Sequence, residues 1–109
     1  MLDQALALHK SGHLEKALEM YQSILQQEPY NHNAWHLAGL IFNEIGQRER
    51  AIHSMQQALK LEPNVAFIHL NLGHVFKKGQ QYLQAIECYQ RVLEIQPNSE
   101  EAYQSLADV

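Results

Sequence analysis

The chain has 109 residues, enough for one domain, and a formal net charge of −4 with only 8 Lys and Arg residues, which argues against a nucleic-acid-binding surface. A single cysteine, Cys88, excludes an internal disulfide bond and suits a reducing compartment, so we expect a cytoplasmic protein. No apolar run approaches the roughly 20 residues that span a bilayer, and the N-terminus lacks the basic region of a signal peptide. We therefore expect no partner among nucleic acids or membranes.

Apolar residues spaced three and four apart predict seven helices in chain order. Gly12 ends the first helix, and Pro29 prevents the second from continuing. Asn31 is the expected N-cap of the third helix, and Asn98 with Glu101 forms a capping pair that opens the seventh. The expected bounds are 2–11, 14–27, 33–45, 48–61, 65–78, 82–95 and 99–109.

Residue types recur along the chain at a constant interval of 34 residues. The recurring sets are Ala17, Ala51 and Ala85; Pro29, Pro63 and Pro97; Leu8, Phe42 and Phe76; and Leu25, Leu59 and Leu93. Small residues also recur at one position of this 34-residue period, where two helix backbones must come close: Ala5, Gly39, Gly73 and Ala107. This period is typical of a repeat solenoid, in which each helix pair buries its apolar face only by stacking on a neighbour.

The recurring residues resemble the tetratricopeptide repeat (TPR) family, which has aromatic and small residues on the first helix, Ala and aromatic residues on the second, and a closing Pro. The second repeat supplies Trp35, Ala38, Gly39, Phe42, Ala51, Met55, Ala58 and Pro63. The third supplies His69, Leu72, Gly73, Phe76, Ala85, Tyr89, Val92 and Pro97. The first repeat departs from the pattern, with Gln4 where an apolar residue is usual. The chain is similar to the TPR arms of bacterial multi-repeat proteins and of O-linked N-acetylglucosamine transferase.

The resemblance implies an all-α fold, a right-handed superhelix of about seven antiparallel helices. It implies a single TPR domain over residues 1–109, with repeats at about 1–31, 32–65 and 66–99 and a first helix alone at 100–109. It also implies a protein–protein interaction scaffold that binds a partner peptide in a concave groove. The groove candidates are Asn33, His36, Leu37, Leu40, Asn43, Phe67, Leu70, Asn71, His74 and Lys77.

These groove candidates combine apolar, amide and imidazole side chains, and we expect the two histidines to make binding depend on pH. One TPR subset grips the carboxylate of chaperone tails with lysine, asparagine and arginine. Here the corresponding positions hold Leu2, Leu6, Leu37, Phe67 and Asn71. Because these side chains carry no cation for carboxylate capture, we expect a different peptide partner.

No arrangement of residues in the sequence predicts catalysis, so we expect a protein that is not an enzyme. His32 and His36 have a metal-compatible spacing of four residues, but no acidic or Cys partner accompanies them at ligand spacing. We therefore expect no metal and no cofactor. Cys88 has no His or Lys beside it and is expected to be a partly exposed, unreactive thiol.

Two alternative functions remain open. The chain could be the N-terminal, substrate-recruiting arm of a larger glycosyltransferase-like enzyme, since Tyr103 and Leu106 lie on a first helix whose second helix is missing. It could also be a structural module that forms an end-to-end homo-oligomer through Leu2 and Leu6 at one end and Tyr103 and Leu106 at the other.

Overall fold

A computed structural model describes residues 1–109, and its regular structure is entirely helical. The helices are α1 (Leu2–Lys10), α2 (Leu14–Gln27), α3 (His32–Glu44), α4 (Arg48–Leu61), α5 (Ala66–Lys78), α6 (Tyr82–Ile95) and α7 (Glu100–Asp108). The seven predicted helices are all present, and their ends differ from the predicted bounds by one residue at most. None of the helices is long and apolar enough to cross a membrane.

The chain divides into two compact units, Met1–Leu61 and Glu62–Val109. In the first unit α1 packs on α2, α2 on α3, and α3 on α4. In the second unit α6 packs on both α5 and α7. Within each unit, helices that follow each other in sequence are therefore neighbours in space, as in a structure built from helix pairs.

Side-chain caps begin two of the helices. Asn31 caps α3 as predicted, because its Oδ1 accepts a hydrogen bond from the Ala34 backbone N–H at 3.1 Å. The predicted Asn98 cap of α7 is wrong. Ser99, one residue later, has the extended backbone of an N-cap, and its Oγ accepts from the Ala102 N–H at 3.2 Å.

Each repeat turns between its two helices through a residue with positive φ. Gly12 has a φ of 86° and Gly46 a φ of 83°. The third repeat has Gln80 at the equivalent position, with a φ of 61°. A side chain in this left-handed region costs about 1–2 kcal/mol that glycine avoids, so the third turn is strained by comparison.

Small residues let the two helices of a repeat approach each other. A Cβ placed on Gly39 would lie 2.8 Å from Met55 Cγ and 3.3 Å from the Ala51 carbonyl oxygen. A Cβ on Gly73 would lie 2.6 Å from Tyr89 Cε1, well inside van der Waals contact. The repeat position that always holds a small residue is therefore the place where α3 packs against α4 and where α5 packs against α6.

A hydrogen bond to a proline carbonyl recurs at each aromatic position of the first helices. The three bonds, each spanning six residues, are Trp35 Nε1 to Pro29 at 2.9 Å, His69 Nε2 to Pro63 at 2.8 Å and Tyr103 Oη to Pro97 at 3.2 Å. His69 therefore carries a proton on Nε2, because a carbonyl oxygen only accepts. The shared contact explains why a histidine replaces an aromatic residue at this position.

Candidate peptide-binding surfaces

Four of the candidate residues on α3 form an exposed to half-buried stripe, which we call the α3 surface: Asn33, Leu37, Leu40 and Asn43. Their spacing of three and four residues places them on one side of the helix. Asn33 is exposed, and the other three are half-buried. The α3 surface therefore presents two leucines flanked by an amide at each end.

The fifth candidate on α3, His36, does not reach the surface. Its side chain is only 4% exposed, and burial, with a smaller electrostatic contribution from His32, lowers its pKa to about 4. His36 lies one helical turn before the buried Gly39, on a covered part of the helix. The predicted role of His36 as a surface contact with a pH response near neutrality is wrong, because its imidazole stays buried and uncharged there.

A polar contact joins the ends of α1 and α3 within the first unit. His9 Nε2 lies 3.0 Å from Glu44 Oε2, and the imidazole is largely buried whereas the carboxylate is half-exposed. The two residues are 35 apart in sequence, so helical periodicity alone does not pair them. This contact holds the C-terminal turns of two first helices together beside Asn43.

Five candidates lie on α5 and define the α5 surface: Phe67, Leu70, Asn71, His74 and Lys77. Phe67 is 53% exposed, and Leu70 and Asn71 are half-buried one turn further on. Lys77 Nζ lies 4.0 Å from Asp108 Oδ2 on α7. An exposed pair at this distance contributes little to stability, about 0–1 kcal/mol. Lys77 therefore remains available to a ligand at small cost.

His74 is anchored by the interior of the second unit. The hydroxyl of the fully buried Tyr89 is hydrogen-bonded to His74 Nδ1 at 2.8 Å, and the buried Ser105 also hydrogen-bonds to Tyr89. Burial lowers the pKa of His74 and raises the pKa of Tyr89. His74 is therefore an exposed residue of the α5 surface that also holds a buried phenol in place.

The first repeat has the same buried phenol without its partners. Tyr21, which is 68 residues before Tyr89, is fully buried, and its hydroxyl has no hydrogen-bond partner. The residues equivalent to His74 and Ser105 are Leu6 and Leu37, and neither offers an acceptor. This difference is visible in the sequence, because tyrosine occurs at the same repeat position in the first and third repeats, whereas the polar residues around Tyr89 are leucines around Tyr21.

The structure shows no cluster suited to metal binding, and its single cysteine is buried. No group of three or more His, Cys, Asp or Glu side chains is arranged to hold a metal ion. Cys88 is buried rather than partly exposed, and burial, followed by the charge of Glu87, raises its pKa to about 11. A thiol with this pKa is almost wholly protonated at neutral pH and is a poor nucleophile.

The tetratricopeptide repeat family matches three consecutive segments of the chain, residues 1–29, 32–65 and 66–99. No curated protein sequence matches the chain significantly. Many solved structures are similar to the chain, and three of them are described here.

A crystal structure of MamA superposes with a TM-score of 0.92 at 25% identity and covers 96% of this chain. A mutant O-GlcNAc transferase of Thermobaculum terrenum has a TM-score of 0.87 at 30% identity, again over 96% of this chain. The first TPR domain of Spaghetti (RPAP3), bound to the HSP90 peptide SRMEEVD, has a TM-score of 0.92 at 22% identity, over 97% of this chain and 84% of that one.

The chain spans 61% of that MamA structure and 20% of the transferase. The likeness at these TM-scores confirms the predicted all-α TPR solenoid fold. The three family matches together cover most of the sequence. The chain belongs to the tetratricopeptide repeat family.

Proposed function

We propose that this chain is a protein-interaction scaffold whose first helices bind a peptide segment of a partner protein. Membership of the TPR family supports a general role in protein interaction. The observation that carries the specific proposal is the exposure of Phe67 on α5, with Leu70 and Asn71 one turn away. An exposed aromatic residue beside an amide offers a peptide both an apolar contact and a hydrogen bond to its backbone.

The α3 surface supports the same role within the first unit. Leu37 and Leu40 offer apolar contact, whereas Asn33 and Asn43 carry amides that both donate and accept hydrogen bonds. None of these four residues is charged, so the partner segment is expected to be a largely uncharged, apolar stretch.

The charge of the surfaces distinguishes this chain from its peptide-bound structural neighbour. That neighbour, the first TPR domain of Spaghetti (RPAP3), binds the acidic peptide SRMEEVD. Here Leu2 and Leu6 on α1 are half-buried apolar residues, and Lys77 is the one cation among the candidates. We expect the acidic HSP90 peptide to bind this chain weakly, because a carboxylate-rich tail needs several cations in register.

The experiment is an affinity capture with the immobilised chain and two matched variants. Phe67→Ser removes the exposed aromatic of α5, and Tyr82→Ser removes a similarly exposed aromatic, 47% exposed, at the start of α6. We expect a partner that is retained by the native chain and by Tyr82→Ser and is lost with Phe67→Ser. Equal retention by both variants, with unchanged circular dichroism, would contradict binding at the α5 surface.

A second candidate function is that of a substrate-recruiting arm in a larger enzyme of the glycosyltransferase type. The 30% identity to the O-GlcNAc transferase of Thermobaculum terrenum over 96% of this chain favours it. The coding sequence that follows codon 109 tests this candidate directly. A continuing reading frame with a catalytic domain would support the arm, and a stop codon at that point would exclude it.

A further inference from the structure

A cavity of about 700 Å³ lies within the first unit, between α2, α3 and α4. It is separate from the α3 surface, since none of the four residues of that surface lines it. We call it the α4 pocket, and the lining residues that matter for its chemistry are Leu25, Trp35, Phe42, Glu49, Arg50 and His53. Its volume falls within the range of about 300–1,000 Å³ that is usual for ligand sites.

The floor of the α4 pocket is apolar and held in place. Two hydrogen bonds hold Trp35 in position. Its indole N–H donates to the Pro29 carbonyl at 2.9 Å, and its backbone carbonyl accepts from Ser54 Oγ at 2.5 Å. Leu25 and Phe42 are half-buried and complete the floor. A side chain entering the pocket would therefore meet a preformed apolar surface with little cost of reorganisation.

The rim of the α4 pocket carries two positioned donors on α4. The Arg50 guanidinium lies 5.8 Å from the centroid of the Phe42 ring, and the His53 ring meets Trp35 edge-on at 6.4 Å between centroids. Neither Arg50 nor His53 forms an ion pair in the structure. An arginine stacked on an aromatic face without its own carboxylate is preorganised to receive one.

The combination of an arginine and a histidine on this rim is particular to the second repeat. The positions equivalent to Arg50 hold Lys16 and Gln84, and both positions equivalent to His53 hold glutamate. Because the other repeats fold with different residues at these positions, packing of the repeat does not require Arg50 and His53. Arg48 adds a second arginine in the first turn of α4, in a chain whose net charge is −4.

We propose that the α4 pocket binds a peptide segment of a protein partner in which an aromatic or long aliphatic side chain is followed directly by Asp or Glu. The apolar side chain enters over Leu25 and Trp35, and the carboxylate accepts hydrogen bonds from Arg50. Glu49 also lines the pocket and accepts a backbone N–H of the same segment. None of the residues of the α3 and α5 surfaces lines this site, so it serves a second contact with a partner.

Three blocked dipeptides test the proposal in a titration monitored at Trp35, the only tryptophan of the chain, by its fluorescence and its indole N–H resonance. The probes are acetyl-Phe-Glu-amide, acetyl-Phe-Gln-amide and acetyl-Phe-Lys-amide. We expect the Glu probe to bind roughly 2- to 5-fold more tightly than the Gln probe, the advantage of an exposed ion pair. The Arg50→Gln variant should lose this preference, and the control Arg48→Gln should keep it.

Several outcomes would overturn the proposal. Tighter binding of the Lys probe would show that Glu49 dominates the rim and that the partner is basic. Perturbation of Phe67 without Trp35 would place the probes at the α5 surface. A Trp35 signal that depends on protein concentration alone would identify a second copy of the chain as the occupant. The absence of any saturable response at Trp35 would exclude a peptide site there.

Discussion

Acidification should destabilise this protein through His36. The imidazole is 4% exposed, and its pKa falls from 6.5 to about 4 on folding. Because the folded pKa is the lower one, the unfolded chain binds the proton more tightly, and stability is lost as the pH falls from about 6.5 towards 4. The difference between the two pKa values corresponds to about 3 kcal/mol in total, of which about 2 kcal/mol is lost by pH 5.

The measurement is urea unfolding followed by circular dichroism between pH 7 and pH 4.5, on the native chain and on His36→Leu. Leucine is the residue at the equivalent positions of the neighbouring repeats, Leu2 and Leu70, so the substitution follows the repeat pattern. We expect the stability of the native chain to fall more steeply with acid than that of the variant, by about 2 kcal/mol at pH 5. Parallel curves for the two proteins would refute the reasoning.

Three further predictions concern single positions, each measured by urea unfolding at pH 7. Tyr89→Phe should lower the free energy of unfolding by about 0.5–1.5 kcal/mol, because it removes the hydrogen bond to His74. Tyr21→Phe should leave the free energy of unfolding unchanged or raise it, because the Tyr21 hydroxyl has no partner. Equal losses for the two variants would contradict this. Gln80→Gly should stabilise by about 1 kcal/mol through relief of its positive φ, and a destabilised variant would show that the turn is unstrained. Gly73→Ala should destabilise by about 1–3 kcal/mol because the new methyl meets the Tyr89 ring, and a gain in stability would mean that the ring moves aside.

The helices and their pairing were predictable because both arise from local patterns. Helical spacing of apolar residues is visible within one or two turns, and the 34-residue recurrence of alanine and proline shows that the same helix pair is repeated along the chain. The N-cap of α7 was mispredicted because Asn98 and Ser99 are both good caps by type, and the local backbone conformation decides between them. Such choices between adjacent residues depend on backbone angles that composition does not reveal.

The burial of His36 could not be read from periodicity. Position 36 lies on the side of α3 that the resemblance assigns to the groove, and Asn33 and Leu40 on that side do reach the surface. Whether a given residue is covered depends on how closely neighbouring helices approach, which is a tertiary property.

The α4 pocket was missed for a similar reason, since its lining comes from three helices. Leu25, Trp35 and Arg50 lie on different helices and share no motif. The proline carbonyl contacts, in contrast, follow the 34-residue recurrence and could be inferred by comparing the repeats. The same comparison shows that Leu6 and Leu37 leave Tyr21 without the partners of Tyr89.

Photo-cross-linking tests the proposed peptide-binding role most directly. The photoreactive amino acid p-benzoylphenylalanine would replace Phe67 in one preparation and Tyr82 in a second, both exposed aromatic positions of the second unit. Proposed binding at the α5 surface predicts that one defined peptide of a partner protein becomes attached at position 67 and not at position 82. Attachment of that partner at position 82 alone, or equal labelling at both positions, would contradict it.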